Sequence, residues 1–123
     1  MTLHTTPDSS YITSRMVKET NVTNAPNTNV TGTNSKLYSL DLHNTNSQKA
    51  YFKIYDLATV VSYGTSTPDI CIPVPNGTRQ TVIIVEGITS TNAVSWAASQ
   101  GKGTTAGSGI SGGAFVAIAT LID

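Results

Sequence analysis

Few residues in this chain could do chemistry, and they are scattered. Two histidines, His4 and His43, and one cysteine, Cys71, are its only imidazole and thiol groups in 123 residues. A zinc site takes three or four ligands, so Cys71 with His43 falls short, and neither a metal nor any other cofactor is expected. No two of the seven carboxylates fall close in sequence, and Asp41, Asp56 and Asp69 read as strand ends or loops. That leaves no evident acid and base pair for proton transfer. Serine is abundant, but no Gly-x-Ser-x-Gly elbow precedes a helix. Gly107-Ser108-Gly109-Ile110-Ser111-Gly112 has the spacing of a dinucleotide loop. Such a loop needs a strand before it and a helix after it, so that the helix N-terminus faces the phosphates. Here a glycine-rich stretch precedes it and a β-type run follows. The chain reads as no enzyme.

Two further patterns are open to a bland explanation. Asn21-Val22-Thr23, Asn29-Val30-Thr31 and Asn76-Gly77-Thr78 fit the glycosylation acceptor, yet so much Asn and Thr produces matches by composition alone. Trp96 with Tyr38, Tyr51 and Tyr55 could form a sugar-stacking platform, although aromatics in a sheet more often pack in the core or across strands.

Composition bounds the classes. The chain is 12.9 kDa, the size of one domain, with seven basic and seven acidic residues and only 11% charged. A nucleic-acid binder needs an excess of Lys and Arg, which is missing. No run approaches the roughly 20 apolar residues of a membrane span, and the N-terminus lacks the pattern of a secretory signal. Neither nucleic acid nor membrane is an expected partner. Thr, Ser and Asn number 20, 13 and 9, a third of the chain, so hydroxyls and amides must supply the solvated surface. Thr also packs well on a pleated sheet. A single cysteine allows no internal disulfide, which suits synthesis in a reducing compartment.

The elements that must position these residues are strands. Residues 1–35 form a low-complexity arm or first strand, in which Val22, Val30 and Ala25 are the only candidates for burial between Thr20 and Ser35. Within it the apolar pairs Tyr11-Ile12 and Met16-Val17 predict either a first strand of the same sheet or an arm docked on a neighbouring subunit. Residues 36–123 form the sandwich domain. Tyr38, Leu40 and Leu42 alternate with polar residues at the period of a half-buried strand. Asn44-Thr45-Asn46-Ser47 is turn chemistry. Ala50–Asp56 follows as a strand with Phe52 and Ile54 on one face and Tyr51, Lys53 and Tyr55 on the other. Ile70, Ile72 and Val74 alternate, and Asn76-Gly77 then separates them from Thr81–Val85. That dipeptide predicts a hairpin pairing Val74 with Arg79, Ile72 with Thr81 and Ile70 with Ile83. Pro73 places its strand on a sheet edge or at a bulge. Ile88–Ala98 is ambiguous between strand and a helical turn, Gly101–Gly113 reads as a mobile loop, and Ala114–Ile122 as a closing strand. The expected fold is all-β, an antiparallel β-sandwich, jelly-roll-like or immunoglobulin-like, with an extended N-terminal arm.

One resemblance adds to this reading. The run Leu40-Asp41-Leu42-His43-Asn44-Thr45-Asn46-Ser47-Gln48-Lys49-Ala50-Tyr51-Phe52-Lys53-Ile54-Tyr55-Asp56 opens it, followed in order by Gly64-Thr65-Ser66-Thr67-Pro68, Ile72-Pro73-Val74-Pro75 and Gly87-Ile88. Over roughly residues 36–100 this pattern resembles small virion proteins of tailed bacteriophages. The resemblance implies a β-sandwich structural role without catalytic residues. A capsid decoration or cement protein would follow, located on the virion after assembly in the host bacterial cytoplasm. Its partners would be the major capsid protein or other virion proteins, and a homo-oligomer, with a trimer favoured by threefold positions, is expected. Candidate capsid or subunit contacts are Tyr11, Ile12, Met16 and Val17. The alternatives are a low-copy neck, tail or fibre component, and a non-catalytic carbohydrate-binding module.

Overall fold

The described residues form seven strands: β1 (Ser14–Glu19), β2 (Ser35–Asn44), β3 (Ala50–Asp56), β4 (Ile70–Val74), β5 (Thr78–Ser90), β6 (Val94–Ser99) and β7 (Phe115–Ile122). The computed structural model describes residues 14–27, 30, 35–58, 66–102 and 113–122. One sheet has the order β1-β7-β2-β5 and the other β4-β3-β6, with every pairing antiparallel.

Alternation along the strands decides which side faces inward. Leu40 and Leu42 of β2, Phe52 and Ile54 of β3, Val94, Trp96 and Ala98 of β6, and Phe115, Ala117, Ala119 and Leu121 of β7 fill one core. The Phe52 ring is tilted against Trp96 and stacked on Phe115, each at 5.6 Å between centroids, so an aromatic trio spans both sheets. The alanines of β7 leave room for such rings. Alternation of small and large residues is how facing layers interdigitate. Ile88–Ala98 resolves into the end of β5, a turn, and most of β6.

The segment after β1 leaves that sheet. Val22, fully buried, donates its N–H to Phe115 O at 2.8 Å. Thr23 then accepts from Ala98 N at 2.9 Å, Asn27 and Trp96 exchange both bonds at 2.9 and 3.0 Å, and Val30 N donates to Val94 O at 2.8 Å. This stretch therefore occupies the place of an eighth strand beside β6. Counting it second in chain order, the sheets read 1-8-3-6 and 2-7-4-5. That is the jelly-roll order, with the chain passing from one sheet to the other at every connection except β3–β4. An immunoglobulin sandwich places its first two strands side by side, whereas here the first two segments lie in different sheets.

One expected pairing is overturned. β4 and β5 do not form a hairpin: β4 pairs β3, and β5 pairs β2 from Asn44↔Thr78 to Ser39↔Ile83. Asn76-Gly77 does turn the chain, with Gly77 at φ 67° and Thr78 N and Oγ1 donating to Pro75 O at 3.3 and 2.7 Å, but it carries the chain from one sheet to the other. Pro73 and Pro75 lie two apart, so their nitrogens face one edge of the strand and neither carries an N–H. A hairpin there would lack two ladder donors. The edge position expected for Pro73 is what the sheet order shows.

Asp56 organises the end of the sandwich opposite the β2–β3 turn. Its Oδ1 accepts from Ser90 Oγ (2.8 Å), Asn92 N (2.8 Å) and Ala93 N (3.3 Å), and its Oδ2 from Thr91 N at 3.1 Å. Partial burial pulls its pKa upward, but these donors together outweigh that and hold the carboxyl below the usual value. Because the folded-state pKa is the lower one, the stabilisation is complete above the unfolded-state value of about 4 and is lost as pH falls through the folded one. The thermal midpoint should therefore drop as pH falls below the ordinary carboxylate value of about 4. Asp56→Asn should flatten that acid limb; parallel limbs for the two proteins in thermal melts would show that Asp56 does not cause it.

Candidate functional site

The outer face of the four-stranded sheet gathers the polar side chains that local reasoning kept apart. Registers set them in rows across the strands. Met16, Thr120, Ser39 and Ile83 lie side by side, as do Lys18, Ile118, Asp41 and Thr81, while Val116, His43 and Arg79 form a third row. Arg79 forks onto Asp41 diagonally, Nε donating to Oδ1 at 2.8 Å and the terminal nitrogen to Oδ2. That hydrogen bond holds the Asp41 carboxyl below its usual range against the opposing effect of burial, with lesser electrostatic help from Arg79 and His43. The same contact raises the Arg79 guanidinium.

These side chains border a shallow trough of about 270 Å³. Its floor is Val116 and Ile118 of β7; Lys18 and Thr20 stand on one side, and Asp41, His43 and Arg79 on the other. Beyond their backbone ladders, the side chains of Lys18 and His43 make no hydrogen bond to the described residues. Short branched side chains on the central strand and long charged ones beside it are what make the depression.

Away from the trough the face is apolar at its edges. Met16 on β1 is 70% exposed, and Ile83 and Val85 on β5 are 74% and 87% exposed. The geometry of β5 explains Val85. Ile83 opposes Ser39 and Ile88 opposes Leu37, so four residues, 84–87, bulge out opposite Tyr38 alone. Gly87 makes this possible at φ 73°, where a Cβ would stand 3.0 Å from the Tyr38 ring. The bulge lifts Val85 clear of the sheet and interrupts the edge of β5.

A second cavity, of about 220 Å³, lies between the sheets at the Asp56 end, with Leu37, Ile54, Ile88 and Val94 inside and Asp56 and Asp69 at its rim. Asp69 Oδ2 accepts the Asp56 N–H at 2.7 Å, and the Asp56 carboxylate is committed to the β5–β6 turn, so both acids hold backbone in place.

Of the candidate contacts, Tyr11 and Ile12 lie outside the described residues. Met16 and Val17 are in β1, paired with Thr120 and Ala119, so this part of the arm is a strand of the molecule's own sheet. Met16 points outward; Val17 packs partly buried against the core. Deleting residues 1–20 would remove β1 and is no clean test of an arm. The sugar-stacking platform is also overturned. Trp96 is 1% exposed and Tyr55 fully buried, because the inward face of β6 and both faces of β3 are covered. Lys53, on the face opposite Phe52 and Ile54, is buried too, and burial lowers its ammonium pKa. The Gly107–Gly112 run and His4 lie outside the described residues. Cys71 pairs with Lys53 in the three-stranded sheet, while His43 is in the other sheet, and no group of three metal-ligating side chains occurs among the described residues.

Sequence reasoning missed the trough. The alternation of Asp41 and His43 marked their common face, but Arg79 joins them only through the β2–β5 ladder and Lys18 only across β7.

The chain is thus an antiparallel β-sandwich with jelly-roll order whose distinctive surface is the outer face of one sheet. Compared with known families, curated proteins and solved structures, it matches none of them.

Proposed function

We propose that the protein is a structural component of a phage virion, a capsid decoration or cement protein that binds the shell through the outer face of its four-stranded sheet. The observation that carries this reading is the open apolar rim of that face, Ile83 and Val85 on one edge strand and Met16 on the other. Exposed apolar groups that lie next to one another, as Ile83 and Val85 do on β5, support a protein contact there. The jelly-roll order is an architecture shared by capsid proteins and lectins, and it supports the reading by analogy only. The Tyr-Phe-Lys-Ile-Tyr-Asp strand and the Pro-Val-Pro segment, which resemble phage virion proteins, point the same way. Many copies on a shell would sum weak contacts into a strong one. A trimer at threefold positions is part of the proposal.

Quantitative peptide mass spectrometry of purified particles tests it. A copy number of the same order as the major capsid protein is expected. A small fraction of that number would move the protein to the neck, tail or fibre, and absence from particles would overturn the structural role. The double substitution Ile83→Asp with Val85→Asp should leave the fold intact, since both side chains are solvated. Its affinity for particles stripped of the protein should fall at least about tenfold. Unchanged binding would remove the apolar rim as the contact.

A further inference from the structure

We infer that the trough over β7 is a binding site for an acidic side chain, of the glutamate type, presented by an extended segment of a partner polypeptide. The inference stands on the trough alone and does not depend on the virion reading.

Charge comes first. Lys18, His43 and Arg79 supply the donors at the rim, and Asp41 supplies the one negative group. Asp41 is already satisfied, because the Arg79 fork takes both its oxygens. An incoming carboxylate therefore meets the Lys18 ammonium, which has no hydrogen bond to the described residues, and the His43 ring on the opposite side. One unit of negative charge suits this balance; a doubly charged phosphate would face Asp41 across the same narrow space.

The floor narrows the class further. Val116 and Ile118 present branched aliphatic groups, which complement the methylenes of a glutamate side chain. A sugar ring carrying a carboxylate would lay hydroxyls on that floor without partners there, and polar groups are costly to desolvate unpaired. The space of about 270 Å³ is enough for a glutamate side chain with its backbone. Donors are spread over β1, β2 and β5, so all four strands must be in register for the site to exist.

Titration of the ¹⁵N-labelled full chain with a blocked Ala-Glu-Ala peptide, followed by amide shifts in NMR spectra, tests the inference. The expected result is saturable shifts at Lys18, Asp41, His43 and Ile118. In the double variant Lys18→Gln with His43→Gln the affinity should fall at least about tenfold, with the remaining spectrum unchanged. The Ala-Gln-Ala counterpart should not bind. Equal response to the glutamine peptide, or undiminished binding by the variant, would overturn the carboxylate site. Stronger binding of glucuronate than of the glutamyl peptide would overturn the peptide assignment.

Discussion

Trp96→Ala is expected to cost the fold about 3–5 kcal/mol, against a total of about 5–15 kcal/mol for a domain of this kind. The indole sits in the interior at 1% exposure, tilted on Phe52, whose other face stacks on Phe115. Removing it opens a cavity beside the Phe52–Phe115 stack that joins the two sheets. The backbone of Trp96 also exchanges two hydrogen bonds with Asn27, so loosening β6 frees the segment that covers its edge. Trp96→Phe should be far milder, because a ring is kept and the buried indole N–H, which has no partner among the described residues, is lost. Urea denaturation followed by far-ultraviolet circular dichroism measures both. A folded Trp96→Ala protein with near-native stability would contradict the core role.

Asn44→Ala is expected to cost about 2–4 kcal/mol, although it removes only a small polar group. The side chain is fully buried, and its Nδ2 donates to Gln48 O at 2.9 Å and to Val74 O at 3.0 Å. Its Oδ1 accepts from Asn46 N at 3.0 Å and from Asn46 Nδ2 at 2.8 Å. One amide thus ties the end of β2, the β2–β3 turn and the end of β4 across the sandwich. Alanine removes one partner each from the Gln48 and Val74 carbonyls and from the Asn46 N–H, the last two in buried surroundings. Asn44→Asp should be worse at neutral pH, since it keeps the acceptor and turns the donor into a charge facing two carbonyl oxygens. Denaturation midpoints and hydrogen exchange at the Asn46 amide are the measurements. A loss below about 1 kcal/mol, within the ordinary range of surface substitutions, would refute the bridging role.

Strands were legible wherever one face is buried, because alternation reports burial directly. Leu40 and Leu42, Phe52 and Ile54, and the run from Phe115 to Leu121 all lie as the period of two indicates. The Asn44–Ser47 turn was legible from short polar side chains that bond to nearby backbone. Partners were another matter. Asn76-Gly77 describes four residues of backbone and is blind to which edge of β4 still has donors, so the hairpin it suggested is replaced by a crossing between sheets. Trp96 was ambiguous because alternation fails in a strand buried along its whole length, as β6 is. The trough was illegible for the same reason as the hairpin: Lys18, His43 and Arg79 meet only through ladders joining distant parts of the chain.

The place of β7 has a consequence for how the protein is made. It is the last of the seven strands to leave the ribosome, yet it belongs between β1 and β2, bonded to both. Until it emerges, those two strands flank a vacant slot with backbone groups exposed on each side. A nascent chain in that state is a target for chaperones and for misassociation with other copies. Insertion of the final strand closes the sheet and completes the floor of the trough in one event. A chain that stops before β7 would therefore lack both the closed sheet and the floor of the proposed binding surface.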